Sequence, residues 1–198
     1  MTPDKDQKAL LKKAQDAFSL AREAERENRD CAKDDIRFAR LGEQWDPELK
    51  KQRERDGRPC LTINKLPPFI RQVVNDARQN KPQIRVLAQD SKADPETADI
   101  FSGLIRNIEL TSRADQAYDT AIDNAATCGL GYFRVNLQYA TDDSWEQDVV
   151  IERVMDPFSV YADPHSTEAD GSDWNSCFVT EMVSKKEFER RFKDSDPI

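Results

Sequence analysis

The sequence lacks most of the residues and runs that mark zinc proteins, membrane proteins and secreted proteins. It holds one histidine, four cysteines and six glycines among 198 residues, and it has no CxxC pair. A structural zinc site is therefore not predicted, and reduced thiols in cytoplasm are expected. No apolar run reaches the roughly 18–20 residues that cross a bilayer, and residues 1–20 carry too much charge for a signal peptide. We expect a soluble chain that does not interact with membranes.

Sequence motifs of enzymes are missing as well. The sequence has no Gly-Lys-Ser/Thr phosphate loop. Gly129-Leu130-Gly131 could begin a dinucleotide fingerprint, but Arg134 stands where the third glycine belongs, and a helical pattern precedes the pair. A helix C-cap at Gly129 is the favoured interpretation. Catalytic and cofactor-binding residues are therefore not predicted, and no cofactor is expected.

The acidic loop TEADGSD, residues 167–173, is the remaining candidate for a metal site. Its Asp170-Gly171 pair resembles the middle of an EF-hand loop, but that register places Ser166 and Cys177 at the first and last ligand positions. The bidentate acid is then missing, so no metal ligand is predicted and a solvated loop is favoured. Two weaker alternatives use side chains in this loop and just before it, as a looser cation site or as a catalytic base. The cation site would be Asp163, Glu168, Asp170 and Asp173, and the base would be His165.

Apolar residues are scarce and charged residues are abundant. They make up 37% and 34% of the chain, against roughly 45–50% and 25% in average domains. Such a chain has a thin core, so folding on association with copies of itself is an open interpretation. The net charge is 0 over residues 1–56, +1 over 57–140 and −9 over 141–198. The total of −8 and a pI near 4.9 argue against an avid, sequence-independent DNA binder.

Periodicity and turn residues predict an α+β fold in three segments, the first of which is an amphipathic helical segment over 1–56. A stripe of mostly alanine runs along it, and it forms one long helix or a helix pair. Residues 22–30 interrupt the stripe as a solvated turn or hinge, where Glu25 and Arg29 can form an ion pair. Pro47 and Gly57 mark its end.

The second segment, 57–130, is predicted as a helical core with a short strand. A helix follows the proline pair at 67–68, and the alternation of apolar residues over 84–88 predicts a strand after it. Asp94-Pro95-Glu96 predicts the start of another helix, and Ser112 with Asp115 predicts the next. These two helices are expected to form a hairpin, with the second ending at Gly129.

The third segment, 131–198, is predicted to be acidic and rich in strands. Alternation over 133–139 and near 149–154 predicts a β-hairpin, and 177–183 predicts a further strand. Ser184 and Glu187 form a capping box for a helix that stops at Ile198, only a few residues later. This last element reads as cut short, so the chain is interpreted as the N-terminal part of something longer.

One stretch, 57–89, is locally basic and rich in asparagine. Its arginines and lysines suit charge-assisted hydrogen bonds to neighbouring elements or subunits, which is the favoured interpretation. The alternative is a nucleic-acid surface, although no aromatic stacking platform shares the helix face. The tryptophans, all in polar surroundings, are interpreted as interface anchors or as core edges. The candidate inter-subunit or inter-element contacts are Trp45, Arg58, Asn64, Lys65, Arg71, Asn75, Arg78 and Asn80.

Four stretches carry a resemblance to a known family. They are DDIRFARLGEQWD (34–46), GRPCLTINKLPPFIRQVVNDARQNKPQIRVLAQ (57–89), TAIDNAATCGLGYFRV (120–135) and DPFSVYADPHSTEADGSDW (156–174). These residues resemble the portal, or head-to-tail connector, proteins of short-tailed bacteriophages of podovirus type. The resemblance covers nearly the whole chain, and 57–89 is its most specific part.

The resemblance implies a viral portal subunit with a wing-like α+β fold and no enzymatic activity. Such subunits form a ring, usually a dodecamer, at one capsid vertex of the virion, after assembly in the host cytoplasm. The genome is packaged through the ring by terminase and later ejected. The implied partners are other copies of the subunit, the major capsid protein, scaffolding protein and double-stranded DNA that passes without sequence recognition.

Length separates this chain from the family. Its members run to several hundred residues, so the chain is expected to be the wing portion, and contacts with terminase and the tail adaptor are expected elsewhere in the subunit. The alternative function is a nucleic-acid-binding module that uses 57–89.

Overall fold

The computed structural model describes residues 5–81, 83–89, 94–141, 143–168 and 170–192. Within them the chain forms α-helices and two antiparallel two-stranded sheets, which confirms the α+β class, the N-terminal helix pair and the small antiparallel sheet. The elements are α1 (Lys5–Ala24), α2 (Arg26–Ile36), α3 (Pro47–Arg55), α4 (Leu66–Gln79), α5 (Pro95–Thr111), α6 (Ala114–Cys128), β1 (Phe133–Tyr139), β2 (Gln147–Arg153), β3 (Val160–Tyr161), β4 (Phe178–Val179) and α7 (Lys185–Arg191).

The chain divides into two compact units. The first unit combines residues 1–27 with 158–198, and the second unit is residues 28–157. In the second unit, α6 is central, because α4, α5 and the β1–β2 hairpin all pack against it. The predicted helical hairpin is confirmed as α5 and α6, and the predicted β-hairpin is confirmed with β2 beginning at Gln147.

Helices begin where side-chain caps and prolines predict them. The carboxylate of Asp94 accepts hydrogen bonds from the backbone N–H groups of Glu96 and Thr97, with Pro95 in the first turn of α5. Asp46 caps α3 in the same way, although this helix was not predicted as a separate element. At the other end of α6, Gly129 takes a left-handed conformation with φ of 77°, which confirms the predicted C-cap.

The interruption of the N-terminal helix is confirmed, but its solvated character is not. The break falls at Glu25, between α1 and α2. The prediction of a wet turn is wrong at Arg29, which is only 6% exposed. Glu25 accepts a hydrogen bond from the backbone N–H of Ala162 at 2.9 Å, so this turn is tied to the first unit's own C-terminal part.

The strand predicted over 84–88 is wrong, because no residue of the described part, 83–89, is in a strand. The alternation of apolar residues is present, but a strand also needs a neighbour for its backbone groups. Instead, the N–H of Val86 donates to the hydroxyl of Ser102 on α5 at 3.1 Å. The segment is therefore irregular chain that contacts α5 through this bond.

Ser112 does not begin α6, contrary to the prediction. It occupies the C-cap of α5, its N–H bonding to the carbonyl of Ile108, and its buried hydroxyl has no hydrogen-bond partner. The connection between the helices is short, and the chain reverses through Arg113 with φ of 52°. An N-cap needs an extended backbone, whereas Ser112 keeps helical dihedral angles, so its side chain cannot cap the next helix.

The strand predicted over 177–183 is shorter than expected, since only Phe178–Val179 pair, with β3 as partner. Thr180 adds one backbone bond to Ser159 at 2.7 Å. Ala162, the residue after β3, donates its backbone N–H to the side chain of Glu25. Phe18 of α1 packs edge-on against Tyr161 and Phe178, with ring centroids 4.9 and 5.4 Å away, and these aromatics stabilise the first unit.

Carboxylates of the acidic loop in the first unit accept hydrogen bonds from groups of the same loop. Asp173 accepts hydrogen bonds from the N–H of Thr167 at 2.6 Å and the hydroxyl of Ser166 at 2.7 Å. These bonds to the ionised form lower the pKa of Asp173 to about 2. Asp163 accepts from the N–H groups of His165 and Asn175. The carboxylates of Asp163 and Asp173 thus accept hydrogen bonds from backbone N–H groups nearby in the loop. No group of three His, Cys, Asp or Glu residues in the described ranges is placed to hold a metal ion.

We expect Asp173→Asn to loosen this loop, because an amide offers one acceptor oxygen where the carboxylate offers two. Amide hydrogen exchange at Thr167 and Glu168 should become faster at neutral pH. The pKa of Asp173 is lower in the folded state than its usual 3.8, so the contribution of its carboxylate is present above pH 4 and is lost as the pH falls toward 2. Glu168→Gln is the matched control in the same loop. Equal exchange rates in the Asp173 variant and the wild type would contradict the assignment.

Candidate contact surface around α4

Asn64 connects three parts of the second unit. Its Nδ2 donates to the carbonyl of Ala39 at 2.7 Å, and its Oδ1 accepts from the N–H of Leu66 at 3.1 Å and from Nε2 of Gln44 at 3.2 Å. The side chain therefore starts α4 and holds it against the π-helical turn Arg37–Leu41. Sequence could identify the asparagine, but not its partners.

Trp45, Arg58 and Lys65 lie around the entry to α4. The indole Nε1 of Trp45 donates to the carbonyl of Leu61 at 3.3 Å, and the guanidinium of Arg53 lies 4.9 Å from the centre of its ring. Arg58 is exposed and bonds through its backbone N–H to Arg53. Lys65 is exposed at the N-cap position of α4 and forms no side-chain cap.

Arg71, Asn75 and Arg78 line one side of a groove between α4 and α6. The groove encloses about 360 Å³. Arg78 forms an ion pair with Asp119 of α6, with Nε and Oδ2 2.9 Å apart. Arg153, at the end of β2, also lines the groove. At the far end of α4, Asn80 bonds to the carbonyl of Asp76 at 3.0 Å, within its own helix. The candidate residues thus do not converge on one point; they are spread along α4 and its entry.

Two further ion pairs fix the helices of this unit around α6. Arg40 contacts Asp123 at 2.7 Å, and Lys81 contacts Asp115 at 2.7 Å. Sequence reasoning missed the acidic partners, because a row of Asp residues one helical turn apart, at 115, 119 and 123, was not recognised as the complement of the basic stretch. That spacing is the signal that could have found them.

The outer side of α4 and its entry carry exposed apolar side chains that sequence reasoning did not single out. We call them the apolar patch. Phe69 and Val73 are 65% and 54% exposed, and Leu61 and Ile63 are each 78% exposed. The members of the apolar patch are Leu61, Ile63, Leu66, Phe69 and Val73.

The β1–β2 hairpin carries a second exposed surface at its connection, residues 139–141 and 143–148, which we call the hairpin tip. Trp145 is 90% exposed, and its ring lies 6.4 Å from that of Tyr139 in an edge-on arrangement. Asp143, Glu146 and Asp148 surround it and are exposed. The hairpin tip is thus an aromatic projection with acidic neighbours.

The strands below the hairpin tip are held by Glu152. Its carboxylate accepts hydrogen bonds from Arg134 and Gln138, each with one bond of 2.7 Å. Asn136 donates to the same carboxylate at 3.1 Å. Burial alone would raise the pKa of Glu152, but these bonds, first of all that from Arg134, lower it overall. Glu152 of β2 therefore joins the two strands of the hairpin below its tip.

An apolar groove lies elsewhere on the second unit, between the end of α4, α5 and α6. It encloses about 540 Å³ and is lined by Ile84, Tyr118, Ile122 and Phe133 among others. The hydroxyl of Tyr118 donates to Glu109 at 3.1 Å, and burial, together with this carboxylate, raises the pKa of Tyr118. No nucleophile with an adjacent base lies among these described lining residues.

The exposed side chains of these surfaces are of the types that bind other macromolecules. The surfaces offer exposed apolar and aromatic side chains, exposed cations at the entry to α4, and acids at the hairpin tip. None of the described helices is long and apolar enough to cross a bilayer.

Comparison with known proteins gives the class. The chain is 30% identical over 172 residues to a protein named "Portal protein" from Acyrthosiphon pisum secondary endosymbiont phage 1; the match covers 81% of this chain and 24% of that protein. The chain thus spans about a quarter of the length of this curated relative. The class is that of phage portal proteins.

The family model described as phage P22-like portal protein matches residues 15–198. The chain belongs to the P22-like portal protein family. The match includes α4, the apolar patch and the hairpin tip, and it confirms the resemblance found in the four sequence stretches.

Proposed function

We propose that this chain contributes a wing segment to a portal subunit that forms a ring at one capsid vertex. The ring serves as the conduit for genome packaging and ejection and as the attachment point for terminase and tail. The family match over 15–198 carries the proposal. It is supported by the incomplete burial of the chain, in which large side chains such as Leu61, Ile63 and Phe69 remain 65–78% exposed.

The proposed partners follow from the same role. Copies of the subunit form a homo-oligomer, with a dodecamer as the expected number, and the ring contacts the major capsid protein and scaffolding protein during assembly in the host cytoplasm. Terminase and the tail adaptor bind through parts of the subunit that this chain does not span. Double-stranded DNA passes without sequence recognition, and a net charge of −8 suits a surface that repels phosphates. The segment itself performs no chemical step.

Nucleic-acid binding by the 57–89 stretch is less well supported than the portal role. Two of its cations, Arg78 and Lys81, are already neutralised by Asp119 and Asp115 of α6. The opposite side of α4 is apolar, as Phe69 and Val73 show. A surface for phosphates would instead present a continuous row of free cations.

The proposal predicts that the purified 198-residue chain associates with itself. Light scattering over a wide range of protein concentration should give masses above 22.7 kDa that rise with concentration, and negative-stain images of the largest species should show rings or arcs. A mass that stays at 22.7 kDa throughout would contradict the proposal that this segment carries subunit contacts. Binding to duplex DNA that weakens steeply with added salt would instead favour the nucleic-acid module.

A further inference from the structure

The apolar patch and the hairpin tip are two different exposed surfaces of the same compact unit. The apolar patch has five large side chains between 37% and 78% exposed, an area on the order of several hundred Å², which is at the upper end for a monomer. The hairpin tip offers Trp145, the residue type most enriched among the side chains that dominate binding energy in interfaces. Each surface lacks a partner within the described part of the second unit that would cover it.

The two surfaces have opposite charge. Residues 57–75, which include the apolar patch, contain Arg58, Lys65 and Arg71 and no acid. Residues 139–148 contain acids and no base, and those around Trp145 are exposed. The same chain therefore carries both an apolar surface with a cationic rim and an aromatic projection with an anionic rim. Such complementarity orients two partners and disfavours wrong pairings.

The two surfaces do not cover each other within one copy. On α4, Phe69 lies two and nine residues from Arg71 and Arg78, which places it about 160–180° around the helix from the groove that these arginines line. Arg153 borders that same groove, whereas the hairpin tip lies at the other end of β2, roughly 20 Å away by the rise of a strand. Trp145 and Phe69, which are 90% and 65% exposed, thus both remain accessible to another copy.

We propose that the hairpin tip of one copy binds the apolar patch of the next copy, with Trp145 against Phe69 and Val73. The acids of the tip then face Arg58 and Lys65 across the rim. Because the two surfaces differ, the contact is head-to-tail, and repeating it gives a ring or an open helical array in place of a closed pair. This inference rests on the proposed function and names the surfaces that would carry it.

The test uses two variants that each remove one surface. Phe69→Asp places a charge in the apolar patch, and Trp145→Ala removes the projection; both side chains are exposed, so both variants should keep the wild-type circular dichroism and melting temperature. Each variant alone is expected to stay at 22.7 kDa at concentrations where the wild type associates. Met182→Ala, at a residue that is fully exposed in the first unit, is the matched control and should associate like the wild type.

A mixture of the two variants gives the decisive result. The intact tip of the Phe69 variant can bind the intact patch of the Trp145 variant, but nothing can extend this pair, so a species of about 45 kDa, twice 22.7 kDa, should form and grow no further. Either variant forming dimers by itself would overturn the head-to-tail contact in favour of a symmetric one. Variants that assemble like the wild type would overturn this inference and leave the proposed function standing. A wild type that stays monomeric would also overturn this inference, and the portal role would still rest on the family match.

Photo-crosslinking identifies the surface that the tip contacts. With a benzophenone amino acid in place of Trp145, the crosslinked peptide is expected to fall within residues 57–75 of another copy. A crosslink into the apolar groove lined by Tyr118 and Phe133 would overturn the assignment of the patch. A crosslink to duplex DNA would do the same.

Discussion

Replacing Gly131 with alanine should lower the melting temperature of the second unit by roughly 6–12 °C, from about 3 kcal/mol of lost stability. A Cβ at this position would lie 1.9 Å from the carbonyl oxygen of Ala121 and 3.0 Å from the Cβ of Ala125. The first of these is backbone of α6, which cannot move aside as a flexible side chain would. The close approach of the chain to α6 after the helix therefore requires glycine.

Gly103→Ala is the matched control for this prediction. Gly103 lies inside α5, and a Cβ there meets nothing within 4 Å. Because alanine is the better helix former, the control variant should gain about 0.5–1 kcal/mol. Thermal unfolding followed by circular dichroism measures both changes. A Gly131 variant as stable as the wild type would contradict the close approach to α6.

Asn64→Ala should have the next largest effect, a loss of about 2–3 kcal/mol in the free energy of unfolding. The substitution removes the donor to Ala39 and the acceptor shared by Leu66 and Gln44. The carbonyl that is left behind belongs to Ala39, which is only 4% exposed, so water replaces the lost amide donor poorly. Denaturant unfolding measures the loss.

Asn80→Ala provides a control of the same residue type in the same stretch. Asn80 makes one exposed hydrogen bond, to Asp76 within its own helix, so its loss should stay within about 0.5 kcal/mol. If the two variants lose equal stability, Asn64 does not hold the junction in the way that its geometry indicates.

Local signals were enough to predict most helix boundaries. The Asp94-Pro95-Glu96 sequence predicted the start of α5, because a capping carboxylate and a first-turn proline act within a few residues. Asp46-Pro47-Glu48 has the same form and begins α3, so the same argument would have separated that helix from the rest of 1–56. The start of α3 is therefore predictable from residues that are close together in the sequence.

Features that depend on distant partners could not be predicted in the same way. The alternation over 84–88 describes the side chains of a strand but gives no information on whether another strand is available, and the N–H of Val86 bonds to Ser102 of a helix instead. The close approach at Gly131 likewise depends on where α6 lies.

The candidate contact residues show the same limit. Their residue types predicted hydrogen bonding and ion pairing, but Ala39 and Asp119, the partners of Asn64 and Arg78, lie 25 and 41 residues away along the chain. The periodicity of apolar residues also could not predict that Phe69 faces outward. The apolar face of α4 is wider than the surface that α6 covers, so some of its apolar side chains stay exposed.

The buried positions of the second unit are mostly alanines, among them Ala32, Ala39, Ala98, Ala114 and Ala117. Alanine has little volume to lose, so mutation inside this unit mainly adds volume and forces the helices apart. Deleting methylene groups, which is the usual damage to a protein interior, has its targets on the outside, at residues such as Phe69 and Trp145. In the isolated chain, trimming the exposed large side chains of this unit should therefore change its stability little, and the cost should arise only when neighbouring molecules cover them.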